Sequence, residues 1–148
     1  MRMSRFTDYS LRTLLYVAMF PDRRVTINQV AEAFGISANH LTKVVHHLGK
    51  VGLLTNTRGR KGGLALARPA GNIRVGELVR HTEQPDVMAE CFESGNTCPI
   101  TPACQMHHVL RQAVEAFYSA LDRYSLDDLV QNKRVLMQLI PDRKSTRL

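Results

Sequence analysis

The sequence predicts a mainly α protein with one small β-hairpin, and three observations predict it. Apolar residues recur at helical spacing through most of the chain. A basic, glycine-rich stretch, Arg58 to Gly63, separates two short apolar runs, the pattern of a hairpin. Nearer the C-terminal end, Met106, Leu110, Ala113, Phe117, Ala120 and Tyr124 follow one another in steps of 4, 3, 4, 3 and 4. That is a seam of alternating a and d positions, as in helices that pack against a second helix.

The elements follow in order. Residues 6–19 read as a helix with Phe6, Ser10, Leu14 and Val17 on one face, Thr7 as its cap, and Pro21-Asp22 beyond its end. Thr26 opens a second helix, because Thr26 and Gln29 have the spacing of a capping box. Val30, Ala31 and Phe34 form its stripe, and Gly35 stops it. Ser37 caps a third helix, with Leu41, Val44, Val45 and Leu48 inward. Two short helices about a Gly turn, the second basic on its outer face, make a helix-turn-helix. Strands are expected at Leu53–Thr57 and Leu64–Ala67, around a basic turn. A helix-turn-helix followed by such a hairpin is a winged helix. Val75–Thr82 is a fourth helix, residues 83–101 a loop, and Thr101-Pro102 the start of the long helix that carries the seam to about Tyr124. Ser125 caps a short helix with Asp127 and Asp128 in its first turn. The organisation is therefore a winged-helix region (1–82), a cysteine-containing loop (83–104), a dimerisation helix with C-terminal helices (102–140) and a flexible tail (141–148).

Composition narrows the function. The 148 residues make one ordinary domain, and 44% hydrophobic with 22% charged residues is the balance of a folded protein. The longest apolar runs, such as Leu14 to Phe20, are too short to cross a bilayer, and MRMSRFTDYS lacks an export h-region, so a cytoplasmic protein is expected. No Ser/His/Asp order, phosphate loop or paired acid supports catalysis, and little chain remains for a large cleft, so the chain reads as a non-enzyme. The net charge of +7 is unevenly placed: residues 1–70 carry eleven basic and three acidic side chains, residues 71–148 nine basic and ten acidic. An excess confined to one half points to a polyanionic partner, and the winged helix makes that partner double-stranded DNA.

The DNA-contacting candidates are Thr26, Gln29, Ser37, Asn39, His40 and Lys43 of the helix-turn-helix, and Arg58, Arg60, Lys61 and Gly62 of the wing. Residues at the start of a recognition helix reach base edges, Asn pairing bidentately with adenine; wing cations suit phosphates or a narrow minor groove. Lys50, His46 and His47 complete the polar face.

Cys91, Cys98 and Cys104 fall within fourteen residues, with His107 and His108 just beyond. An odd number of cysteines without an export signal argues against a disulfide framework. Thiolates need stabilisation, which a helix N-terminus or a metal supplies. Three can hold an iron–sulfur cluster or, with a fourth ligand, zinc; their spacing matches neither zinc ribbons nor bacterial ferredoxins, and leaves cluster, zinc and free thiols open.

FTDYSLR near the N-terminus, AEAFGISANHLTKVVHHL, the wing RGRKGGL, three cysteines before a long helix, ITPAC at 100–104 and DLV at 128–130 together resemble the Rrf2 family of winged-helix regulators, over nearly the whole chain. The likeness is greatest to its nitric-oxide-sensing repressors. The resemblance implies a homodimer on operator DNA, and an iron–sulfur cluster, 4Fe–4S in that branch, held by Cys91, Cys98 and Cys104. It implies Asp8 of the partner subunit as fourth ligand, and nitric oxide as the signal that releases the operator. On its own helix Asp8 also suits the dipole and pairs in i,i+4 spacing with Arg12. Related regulators of iron–sulfur homeostasis or redox stress hold a 2Fe–2S cluster with a His three residues after the last cysteine, and His107 has that offset. A zinc-stabilised DNA-binding protein without sensing and an electron-transfer protein are the rival classes; the latter needs no winged helix.

Overall fold

The computed structural model describes residues 2–83 and 88–140. The expected tail, 141–148, lies outside them, as does part of the expected loop, residues 84–87. Helix α1 spans Arg5–Met19, α2 Ile27–Phe34 and α3 Ala38–Lys50. Strands β1 (Leu54–Thr57) and β2 (Gly63–Leu66) pair antiparallel, Leu54 opposite Leu66 and Thr57 opposite Gly63. Helix α4 covers Val75–Thr82, α5 Gln105–Leu121, α6 Leu126–Leu129 and α7 Lys133–Leu139. This is the expected winged helix followed by a long helix.

The core lies under the first three helices and the hairpin. Leu14, Val17 and Met19 of α1 meet Val30 of α2, Leu41, Val44 and Leu48 of α3, and Leu53 and Leu64 of the wing. Each is buried, as the helical stripes require. The capping box of α2 forms as its sequence dictates: Thr26 Oγ1 accepts from the Gln29 N–H, and Gln29 Oε1 accepts from the Thr26 N–H at 2.8 Å. Gly35 closes α2 in the left-handed region, φ 63°. Val25 adds a bridge to Leu64, which extends the hairpin by one residue of a third strand.

Two expected caps are corrected. Ser4, not Thr7, caps α1: its Oγ accepts from the Thr7 N–H at 3.1 Å, and Thr7 is buried one turn inside the helix. Thr101 does not start the long helix. It opens a short 3₁₀ turn, Thr101–Ala103, its hydroxyl donates to the Cys98 carbonyl, and α5 begins after Cys104. The helix also ends at Leu121, three residues before Tyr124. Ser37 holds the N-cap position of α3 without a side-chain cap bond.

Helix α5 is fastened at its C-terminal end. Arg80 of α4 donates to both oxygens of Asp122 at 2.8 and 2.6 Å and lies over the Tyr118 ring. At Gly76 a Cβ would run into the Asp122 carboxylate, so a side chain there would displace that carboxylate from its pairing with Arg80. The Val75 N–H donates to the Tyr124 carbonyl and the Leu126 N–H to that of Ile73, which locks the start of α6 beside α4. The hydrogen bonds from Arg80 hold the Asp122 carboxyl below its usual range; those from the Ser125 N–H and hydroxyl do the same for Asp128. A carboxylate depressed in the folded state adds stability that is whole above the unfolded value and is lost as pH falls through the lower folded value. Thermal melts from about pH 6 to pH 2 are therefore expected to drop below the ordinary carboxylate range, less steeply in Asp122→Asn protein; identical acid profiles would contradict this.

Candidate functional site

The reading face is made by α3 and the wing. Ser37, Asn39, His40, Thr42, Lys43, His46 and Lys50 are exposed on α3, while Leu41, Val44, Val45 and Leu48 anchor its other side. The Thr42 hydroxyl donates to the Ala38 carbonyl, which turns it away from any ligand. The His40 ring stacks on Tyr9, 6.3 Å between centroids. Arg58, Arg60 and Lys61 stand exposed at the hairpin tip.

The wing's shape depends on Gly62. A Cβ there would collide with the Thr57 carbonyl oxygen, and the Gly62 N–H closes the turn on the Gly59 carbonyl at 2.9 Å. Gly59 has φ 103°, where side chains are strained. Gly62→Ala is expected to splay the tip and reduce DNA affinity about tenfold, with a loss of about 1–2 kcal/mol in stability. Gel-shift and denaturant titrations check both; unchanged affinity would show that the tip makes no contact.

Thr26 and Gln29 form the capping box that their spacing predicts, and the Gln29 Nε2 is buried without a hydrogen-bond partner. Both stand at the start of α2, where the sequence reading also makes them candidates for DNA contact.

The cysteine loop hangs between α4 and α5. No disulfide joins Cys91, Cys98 and Cys104, and all three are half-buried. Cys91 lies in a 3₁₀ turn, Glu90–Phe92; Cys104 is the N-cap residue of α5. Among the described residues no three His, Cys, Asp or Glu side chains converge into a ready-made ligand set.

Polar side chains that the sequence reading passed over tie this loop together. Glu90, just before Cys91, accepts from the N–H and hydroxyl of Thr97, just before Cys98, at 3.1 and 2.7 Å. These bonds hold the Glu90 carboxyl below its usual range. Asn96 Oδ1 accepts from the Cys98 N–H, and its amide donates to Thr101 Oγ1. The Cys104 N–H in turn donates to the Thr101 carbonyl. A network of short bonds thus links the neighbourhoods of all three cysteines.

The two candidates for a fourth ligand share one feature. Asp8 receives Arg12 Nε at 3.1 Å and Nη2 at 2.9 Å, and His107 Nε2 accepts from Arg111 Nη2 at 2.7 Å. Each is thus held by the arginine four residues on along its own helix. The His107 ring stacks on Phe92, beside Cys91, with 4.7 Å between centroids. Because guanidinium only donates, the His107 proton sits on Nδ1, and that buried atom has no partner. Asp8 lies on α1, away from the cysteines in sequence; the described residues form no ligand set that includes it.

Helix α1, the recognition helix and α4 meet at His47. Its ring packs edge-on against Phe6 at 5.3 Å, and its Nε2–H donates to the His81 carbonyl at 2.7 Å. The Ser4 N–H donates to Glu83 at 2.5 Å. The start of α1 and the recognition helix are therefore both bonded to the end of α4, two residues or fewer from where the cysteine loop leaves it.

A winged helix with a basic reading face, followed by a cysteine loop and a long exposed helix, defines a helix-turn-helix regulator. The chain belongs to the Rrf2 family of iron-dependent transcriptional regulators, whose model matches residues 3–132, and it is not an enzyme. It is 42% identical over 142 residues to the HTH-type transcriptional regulator NsrR of Oceanobacillus iheyensis, covering 95% of this chain and 97% of that one. It is 43% identical to the NsrR of Bacillus subtilis, with the same coverage. Among solved structures, T. potens IscR matches with a TM-score of 0.73 at 22% identity, over 89% of this chain and 88% of that one. CymR of B. subtilis, titled its global cysteine regulator, matches with 0.71 at 21%, over 89% and 98%. At these identities the two structures bear on the fold alone.

Proposed function

We propose that two copies of this chain form a DNA-binding repressor that responds to nitric oxide through an iron–sulfur cluster at Cys91, Cys98 and Cys104, with Asp8 of the partner subunit as fourth ligand. The observation that carries the proposal is the junction at His47. It bonds the recognition helix to the end of α4, from which the cysteine loop departs.

The donors fit the group. Three half-buried thiols without disulfides, in a loop cross-tied by its own side chains, are soft ligands suited to iron. Cys104 holds the N-cap position of α5, and its side chain makes no cap bond there. When bound, the cluster supplies iron to which nitric oxide bonds. Everything downstream is work of the chain. Asp8 can ligate while keeping part of its pairing with Arg12, since a carboxylate has lone pairs to spare. For His107 to ligate, its bond with Arg111 has to open or its ring proton has to move from Nδ1 to Nε2. This favours Asp8 and, with three cysteines, a 4Fe–4S group; the buried, unpartnered Nδ1 of His107 is the one observation favouring the 2Fe–2S alternative.

Asp8 lies between Phe6 and Tyr9, which touch His47 and His40 of the recognition helix. A shift of α1 or of the loop therefore reaches the reading face directly. Loss of the Asp8 tie lets the two reading heads move relative to a pseudo-palindromic operator, and a tenfold loss of affinity needs only about 1.4 kcal/mol of coupling.

The second copy is supported by α5. No residue of this 17-residue helix is buried, and Met106 and Val109 are more than half exposed. A helix of that length is marginal in water by itself, and its apolar seam is what a second α5 would cover.

Protein purified without oxygen is expected to contain iron and sulfide. Its Mössbauer spectrum is expected to change in Asp8→Ala and to persist in His107→Ala. The reverse pattern would select the 2Fe–2S reading; stoichiometric zinc in place of iron would reject the cluster.

A further inference from the structure

We infer a further DNA-backbone site that adjoins the wing tip: the cleft between the α1–α2 turn and the wing, where Arg23 and Arg24, beside Lys61 of the tip, take phosphates flanking the operator half-site. The inference rests on the DNA-binding reading above and adds contacts to it. The cleft, about 550 Å³, is lined by Pro21, Asp22, Arg23, Arg24, Lys61, Gly62 and Ala65. Arg24 and Lys61 are exposed cations on it, and Arg23 Nη1 donates to the Arg24 carbonyl at 3.4 Å.

The backbone holds the cations in place. Val25 and Leu64 exchange both N–H···O bonds, at 3.1 and 2.6 Å, so the residue after Arg24 is locked to β2. Arg24 Nη1 donates to the Gly63 carbonyl at 3.4 Å, a long bond that leaves the rest of the guanidinium's donors to other acceptors. Gly63 permits the approach: a Cβ there would stand 2.7 Å from the Val25 carbonyl oxygen and 3.2 Å from Arg24 Cβ. Arg23 lies over the Phe20 ring at 4.2 Å, which fixes the direction of its planar head.

Two features select a nucleic-acid backbone as the occupant. The cleft opens to solvent beside exposed Arg24 and Lys61 and is continuous with the wing tip, so a duplex held by the wing runs past it. Charged side chains outnumber the two small apolar residues of its walls, Pro21 and Ala65, which suits a passing phosphate chain better than an enclosed small molecule. The position also adjoins the first turn of α2, which holds no acidic residue to repel the backbone.

The test uses the cluster-loaded protein and two operator duplexes, one trimmed to the half-sites and one with several extra base pairs at each end, in anisotropy titrations over a range of salt. On the long duplex, Arg23→Ala with Arg24→Ala is expected to weaken binding at least tenfold and, with four cations lost from the dimer, to lower the slope of log affinity against log salt by about 3.6. On the trimmed duplex it should bind as the unsubstituted protein does. Asp22→Asn, an exposed change that cannot unfold the protein, is expected to tighten binding severalfold on the long duplex only. Equal loss on both duplexes would mean that the arginines merely hold the wing, and no effect on either would remove the site; both overturn the inference. Unsubstituted protein that binds neither duplex would instead overturn the DNA-binding reading beneath it.

Discussion

Cys98→Ala protein prepared without oxygen is expected to be colourless, to hold little iron, and to show no change in operator binding when nitric oxide is added. The expectation follows from where Cys98 sits. Its N–H is fixed by Asn96 and its carbonyl accepts from Thr101, so the thiol stands at the centre of the bonds that join the neighbourhoods of Cys91 and Cys104. With two thiolates left, a cluster lacks a ligand on a third iron. The substitution costs little in folding, because none of the described residues of the loop belongs to the buried core. Circular dichroism of the variant should therefore match that of the parent, and loss of colour with a normal spectrum would separate ligand loss from unfolding. A variant that keeps full iron and responds to the gas would remove Cys98 from the site.

Replacing Lys43 and Arg60 together by alanine is expected to weaken operator binding at least a hundredfold at ~0.1 M salt and, with four cations lost from the dimer, to take about 3.6 from the salt slope. Lys43 lies on the outer face of α3 and Arg60 at the tip of the hairpin, both exposed and neither part of the core. Each charge-assisted contact contributes about 1.5 kcal/mol or somewhat more, and contacts on separate elements add. Affinity unchanged in the double variant would mean that DNA does not dock on this face.

Local signals carried most of the fold. The Thr26–Gln29 box, the Gly35 stop, the stripe of α3 and the glycines of the wing act within a few residues of themselves, and each appears where the sequence puts it. Caps were less secure because two hydroxyls competed. Ser4 and Thr7 both suit the start of α1, and burial of Thr7 decides for Ser4. Thr101-Pro102 has the form of a helix start, yet the Thr101 hydroxyl turns back to Cys98 and the chain needs one more turn before α5. Helix α7 falls among the C-terminal helices expected before residue 140, but its bounds are not legible, since it is only seven residues long and without a side-chain cap.

The candidate site was legible as residue types and less so as connections. Cysteine spacing and excess charge mark the sensor loop and the reading face. The bonds Glu90–Thr97, His47–His81 and Ser4–Glu83 join residues 7, 34 and 79 positions apart, and no period announces them. Arg23 and Arg24 were visible only as part of the basic half, since what gives them a role is the pairing of Val25 with the wing. Gln29 shows the opposite case: the cap that its spacing with Thr26 predicts is the cap that forms.

One titration bears on the whole account. Cluster-loaded protein, bound to a fluorescently labelled operator under anaerobic conditions, receives nitric oxide in small steps while visible absorbance and anisotropy are read from the same cuvette. The two signals should fall together, with DNA released as the absorbance bleaches. A bleached sample whose anisotropy stays at its starting value would mean that the cysteine loop does not govern the winged helix.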